Sequence, residues 1–261
     1  MKIAIIGAGA MGGALVEGFI KSDAYKAADI CVSDPSQAVL EKFTAMGASV
    51  TEDNTLAIAD AKVVMVVVKP WLVENVIKGI APALSPMQNL VVVAAGVKSS
   101  DILSWLPEGG KEAKLFLAIP NIAAAEGCSM TFLVPCGAAS SQDTKLITDV
   151  FNTVGNTLIT DEKHLAAGTT LASCGIAYAM RYIRAASEGG VELGFKADDA
   201  KEIVMQTVLG AVKLLEASGL HPEAAIDLVT TPGGVTIKGL NEMEHAGFTS
   251  AVIRGLKAGA K

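Results

Sequence analysis

Up to Thr160 the chain alternates two rhythms. Short apolar, largely β-branched runs at Lys2–Ile6, Ile30–Val32, Val63–Val68, Leu90–Ala94, Leu115–Ile119 and Met130–Val134 read as strands. The stretch VVMVVV at 63–68 has no polar interruption, which predicts a central strand covered on both faces. Between these runs, Gly12–Lys21, Gln37–Met46 and Leu72–Ala83 carry helical patterning. Strands alternating with helices predict an α/β layer with a mainly parallel, doubly wound sheet, and Val150–Thr157 is expected to close it.

From Asp161 the period changes to 3.6. In ADDAKEIVMQTVLGAVKLLEASG, small or apolar residues recur at 200, 203, 204, 207, 208, 211, 212 and 215, one stripe of a long helix. Asp198 and Asp199 stand in its first turn and Gly219 just past its end, as the helix dipole and C-cap favour. The preceding His164–Ser187 is small or apolar nearly all round, which predicts a helix buried on several sides. With no low-complexity linker and no internal repeat, the expected organisation is an α/β domain at 1–160 and an all-helical domain at 161–261. One stretch breaks the helical rhythm: DLVTTPGGVTIKGL at 227–240, dense in turn formers and hydroxyls.

Composition narrows the function classes. Hydrophobic residues make up 51% and charged ones 18% of 261 residues, a surplus of apolar surface that suggests burial between subunits. No apolar run approaches the roughly 20 residues of a membrane helix, so no membrane partner is expected. The N-terminal MKIAIIGAGAMGGALVEGF has the look of a signal peptide, but its glycine spacing argues otherwise. A net charge of −6 and the absence of a basic run give no footprint for a nucleic-acid partner. Cys31, Cys128, Cys136 and Cys174 are scattered without paired spacing, which fits a reducing cytoplasm. His164, His221 and His245 have no metal-ligand spacing, so no metal is expected.

Gly7-Ala8-Gly9-Ala10-Met11-Gly12 is a G-x-G-x-x-G between the first strand and a helix. The glycines there permit a tight turn, close approach to a pyrophosphate and close strand–helix packing, while the helix start offers free N–H groups to phosphates. This is the fingerprint of a Rossmann dinucleotide site, and it points to NAD(P)H. Asp34 ends the second strand, placed to accept from both ribose hydroxyls and to repel a 2′-phosphate. No arginine lies nearby, Lys42 is a distant cation, and Ser33 and Ser36 are neutral donors, so the preference tilts towards NADH. The alternative is a turn aspartate before Pro35. Val68-Lys69-Pro70, Ala94-Ala95-Gly96 and the loop residue Asn54 follow later strands, where such folds place their ligands; Lys69 is equally readable as a solvated loop lysine.

These motifs together resemble the pyrroline-5-carboxylate reductase family along essentially the whole chain. IIGAGAMGGALVEGF, VKP at 68–70, AAG at 94–96, IPN at 119–121 and TTPGGVTIKGL fall where that family has them. The resemblance implies reduction of 1-pyrroline-5-carboxylate to L-proline by NAD(P)H, the last step of proline biosynthesis, in a Rossmann domain followed by a dimerising helical domain. It further implies a homodimer, in some members five dimers assembled into a decamer. Carried over, Asn121 joins the cofactor site, and Gly233, Gly234, Val235 and Thr236 form the substrate loop. Backbone N–H groups of that loop would hold the carboxylate, with the Thr236 hydroxyl at the imine nitrogen. Glu162 matches a position near the substrate, across the dimer. Consecutive N–H groups at a helix start do form an anion nest, and an electrophilic imine needs orientation more than a strong acid. The alternative is that Pro232-Gly233-Gly234 only breaks two helices and Thr236 caps the second.

The sequence departs from the family pattern in three places: Ile122-Ala123 after Pro120-Asn121, Ala172–Ile176 before Ala177-Tyr178, and Leu228. These leave open a paralogous reductase of another cyclic imino acid, beside a non-catalytic NAD(P)-binding regulatory protein. Cys174 stands where a serine is usual, as a weak donor or as buried filler.

Overall fold

The computed structural model describes residues 1–260. The chain divides into two compact units, Met1–Ser173 and Cys174–Lys261.

In the first unit the chain runs β1 (Ile3–Ile6), α1 (Ala10–Lys21), β2 (Ile30–Ser33), α2 (Gln37–Ala45), β3 (Ser49–Thr51), α3 (Asn54–Ile58) and β4 (Val63–Val66). It continues through α4 (Val73–Ile80), β5 (Asn89–Val92), α5 (Ser99–Ser104), β6 (Lys114–Ile119), β7 (Ser129–Gly137), α6 (Ser141–Asn152) and β8 (Gly155–Ile159) to α7 (Leu165–Gly168). A π-helical turn at Thr169–Ser173 ends the unit. The eight strands lie in the order β3-β2-β1-β4-β5-β6-β7-β8, parallel except where β7 runs antiparallel to β6. The order reverses between β1 and β4, which makes that gap the topological switch point where open α/β sheets bind ligands.

Two apolar layers hold the sheet. Ile3, Ile5, Leu15, Phe19, Phe43, Val63, Met65, Phe116 and Phe151 pack on one face. On the other, Ala4, Ile6, Val64, Val66, Ile77, Leu90 and Leu115 pack together. All of β4 is fully buried, as its unbroken apolar run predicts, and each such valine is worth roughly 1.5–3 kcal/mol of burial.

Several elements went unanticipated. β3, α3 and α5 are too short to build a periodic signal. α6 is set by a capping box, in which the Ser140 hydroxyl accepts from the Asp143 amide and the Asp143 carboxylate accepts from the Ser140 amide. Val150–Thr157 is accordingly the last turn of α6 followed by the start of β8. Residues 161–173 group with the first unit.

The second unit holds α8 (Gly175–Glu192), α9 (Ala197–Ser218), α10 (Pro222–Leu228), α11 (Val235–His245) and α12 (Phe248–Gly259). α8 and α9 approach closely at Gly190, where a Cβ would come within 2.9 Å of the Ala200 Cβ. Among its described residues Ala200 is the one buried side chain. The expected burial of His164–Ser187 on several sides is not met in the single chain, because α8 has no buried residue. Tyr178, Met180, Ile203, Met205, Leu209 and Val212 stand exposed instead. A five-helix unit with so little interior has no core to offset its own ordering entropy.

Candidate nucleotide site and substrate loop

The parallel strands deliver their carboxyl ends to one edge: register aligns Ile6 with Ser33 on one side and Val66 on the other, and Val66 with Val92. The residues proposed from sequence for the nucleotide lie at or just after the carboxyl ends of β1 to β6. Gly7 adopts φ +87°, and a Cβ there would sit 2.5 Å from the Val67 carbonyl oxygen. A Cβ on Gly12 would sit 2.0 Å from the Gly7 carbonyl oxygen. Both positions therefore require glycine, for the turn and for the packing of α1 on it. Gly9 differs, since a Cβ there would meet nothing within 4 Å. Its surface is open, as backbone that receives a ligand must be.

Gly9 is also the N-cap of α1, with no side-chain cap and no acidic residue in the first turn. The amides of Ala10, Met11 and Gly12 thus lack intrahelical acceptors and meet no competing carboxylate. This donor set and open backbone fit a dinucleotide pyrophosphate.

Asp34 is placed by contacts the sequence did not disclose. Its Oδ2 accepts from the Ala8 amide at 2.8 Å and its Oδ1 from the Ser36 amide at 2.9 Å. The carboxylate thereby ties the glycine turn to the end of β2. Each oxygen keeps a lone pair, so these bonds leave acceptor capacity for ribose. Ser33 is buried and donates its hydroxyl to Asn54 Oδ1 at 2.7 Å. Asn54 opens α3, whose cap Asp53 accepts from Thr55 and Leu56. The Thr55 hydroxyl and those amides hold the Asp53 carboxyl below its ordinary range.

Val68 lies at the end of β4 against Gly7, and Lys69 and Pro70 are exposed. Ala94, Ala95 and Gly96 follow β5, with Gly96 at φ +78°. Asn121 is only 4% exposed, and its polar groups are engaged inward. Its Oδ1 accepts from the Ala123 amide at 3.1 Å and its Nδ2 donates to the Ala172 carbonyl at 3.4 Å. Ser173 donates to the Pro120 carbonyl at 3.4 Å, so two of the segments that depart from the family pattern meet here. Glu162 is half-buried and takes both hydrogen bonds that Ser99 donates, from its amide at 3.0 Å and its hydroxyl at 2.5 Å.

In the second unit, the Gly234 amide donates to the Thr231 carbonyl at 2.9 Å, closing a turn with Pro232 and Gly233 at its corners. Gly233 takes φ +72°, which that corner demands. Gly234 is the N-cap of α11, and Thr236 lies two residues inside the helix. Thr236 therefore does not cap α11, contrary to the alternative reading. Its side chain is exposed, and α11 starts with no side-chain cap and no acid in its first turn. The amides of Val235, Thr236 and Ile237 are left as free donors beside that hydroxyl.

Residues 2–96 match the family model described as NADP oxidoreductase, coenzyme F420-dependent. Residues 162–261 match the model of pyrroline-5-carboxylate reductase dimerisation. Fold and matches define the class: an NAD(P)-dependent oxidoreductase with a Rossmann domain and a helical dimerisation domain.

The chain is 34% identical to the pyrroline-5-carboxylate reductase of Pisum sativum, over 99% of this chain and 93% of that one. Pyrroline-5-carboxylate reductase 1 of Dictyostelium discoideum is 35% identical over 97% of this chain, which spans only 48% of that longer protein. The crystal structure of 1-pyrroline-5-carboxylate reductase from Streptococcus pyogenes superposes with a TM-score of 0.87 at 28% identity, covering 100% of this chain and 96% of that one. The chain belongs to the pyrroline-5-carboxylate reductase family.

Proposed function

We propose that the protein reduces 1-pyrroline-5-carboxylate to L-proline, the last step of proline biosynthesis, with NADH preferred over NADPH. The observation that carries the substrate assignment is the start of α11, an uncapped helix end with free amides and the exposed Thr236 hydroxyl side by side. The amides of Val235 and Thr236, presented by the Gly233-Gly234 turn, bind the substrate carboxylate. Thr236 orients the ring nitrogen, accepting from it as the protonated imine and continuing as its partner in the amine.

When bound, the nicotinamide supplies the hydride that attacks the C=N carbon. Gly7, Gly9, Ala10, Met11 and Gly12 would hold the pyrophosphate and Asp34 the adenosine ribose, while Ser33, buried and bonded to Asn54, would support the end of β2 rather than touch the ribose. Val68, Lys69, Pro70, Ala94, Ala95, Gly96 and the Asn121 segment line the nicotinamide end. Because the Asp34 carboxylate repels a 2′-phosphate, NADH is favoured. The exposed apolar faces of the second unit support a homodimer, the unit from which a decamer would be built. Four free cysteines accord with the cytoplasm.

NADH and NADPH oxidation with racemic 1-pyrroline-5-carboxylate tests this reading, and absence of turnover with both cofactors refutes it. The junction of Pro120-Asn121 with Ala172-Ser173 favours a second reading, a preference for a related cyclic imino acid. Comparing kcat/KM for pyrroline-5-carboxylate, pyrroline-2-carboxylate and piperideine-2-carboxylate separates the two.

A further inference from the structure

The loop after β5 packs Val93, Ala94 and Val97 on the apolar layers, but no side chain of its own ties down its far end at α5. α5 begins at Ser99 with Lys98 as N-cap, and Lys98 provides no side-chain cap. The loop passes through Gly96 at φ +78° and exposed Ala95. What holds that end comes from 63 residues further on: Glu162 takes the Ser99 amide on Oε1 and the Ser99 hydroxyl on Oε2. The Glu162 carboxylate has no other hydrogen bond among the described residues. The polar side chains flanking it are occupied with one another, since the Asp161 carboxylate lies 3.2 Å from the Lys163 ammonium and 2.6 Å from His164 Nδ1. Cys136 of β7 closes the cluster. Burial pushes its thiol up, a Ser99 hydrogen bond opposes the shift, and the charge of Glu162 adds to it. The carboxylate is thus held in a fixed place, with both its oxygens on one serine.

We infer that Glu162 and Ser99 form an intrachain clasp that positions the β5–α5 loop for the nicotinamide end of the cofactor. Glu162 is then a positioning residue of its own subunit, whereas the family resemblance assigns it to the substrate across the dimer. The inference rests on the reductase reading only for which residues meet the nicotinamide. A loop left unclasped must be ordered when the cofactor binds, and that cost appears as lost cofactor affinity.

The test is a double-mutant cycle read by NADH fluorescence titration, with circular dichroism melting to verify that each variant is folded. Ser99→Ala and Glu162→Gln are each expected to weaken NADH binding about tenfold. The double variant should bind no more weakly than the worse single one, since both break one interaction. Ser99→Thr keeps amide and hydroxyl and should retain wild-type affinity. At saturating NADH, KM for the imine should not change in any of the four.

Unchanged NADH affinity in the single variants, or additive losses in the double, overturns the clasp. So does a raised imine KM in Glu162→Gln that Ser99→Ala does not share, because Glu162 then serves the substrate. A protein that shows the expected NADH pattern but does not reduce pyrroline-5-carboxylate refutes the reductase reading and leaves the clasp standing.

Discussion

Asp34 combines a structural and a recognition task in one carboxylate. It fixes the Ala8 amide and the Ser36 amide and keeps acceptor capacity for the proposed ribose. Asp34→Ser should weaken NADH binding about tenfold, since a charge-assisted bond is lost from the glycine turn. It should also shift the kcat/KM ratio towards NADPH, measured with both cofactors; an unchanged ratio removes Asp34 from cofactor choice. Thr236 is simpler, because its hydroxyl is exposed and spends nothing on capping α11. Thr236→Ala should lower kcat/KM for the imine roughly 10- to 100-fold, the cost of one hydrogen bond to a charged group, with NADH affinity intact. Collapse of NADH affinity in that variant contradicts the assignment. At this scale Gly7 and Gly12 were legible because the turn and the packing they allow follow from spacing, as was the place of Asp34 just after β2. The Ala8–Asp34, Ser99–Glu162 and Asn121–Ala172 bonds were not, since each joins residues far apart in sequence.

The glycine turn and the helix it opens succeed or fail as one element. A methyl at position 12 would press on the Gly7 carbonyl at 2.0 Å, which as backbone of the tight turn has little room to yield. Gly12→Ala should therefore lower Tm by about 5–10 °C, as overpacking of 2–3 kcal/mol implies for a chain of this size, and should abolish NADH binding. A variant with unaltered Tm and affinity would show that the turn has slack. Unbroken apolar runs such as 63–66 and the long α9 stripe were readable because many residues repeat one signal. Short elements were not: β3 and α3 have three and five residues, too few for a period. The π-helical turn at Thr169–Ser173 was not legible either, since Thr-Thr-Leu-Ala-Ser reads as ordinary helix and its outside partners, Pro120 and Asn121, lie some fifty residues away.

The second unit ties the whole molecule to assembly. Met205, Leu209 and Val212 recur at helical spacing on α9 and are each about half exposed, whereas Ala200 is buried and Val204 and Val208 are partly buried. Such a stripe needs a covering surface, and the family model over 162–261 is one of dimerisation. Sedimentation of the full chain should give a dimer or a multiple of it, and Leu209→Glu should shift it towards monomer. A monomeric wild-type protein at micromolar concentration contradicts this. The composition foretold the surplus apolar surface, but not which faces carry it, because a stripe buried within a chain and one buried between chains look alike in sequence. The central claim is catalytic, and one assay addresses it: oxidation of NADH and of NADPH on adding racemic 1-pyrroline-5-carboxylate, with the amino-acid product identified. The account expects turnover that yields L-proline, with the higher kcat/KM for NADH; no turnover with either cofactor would contradict it.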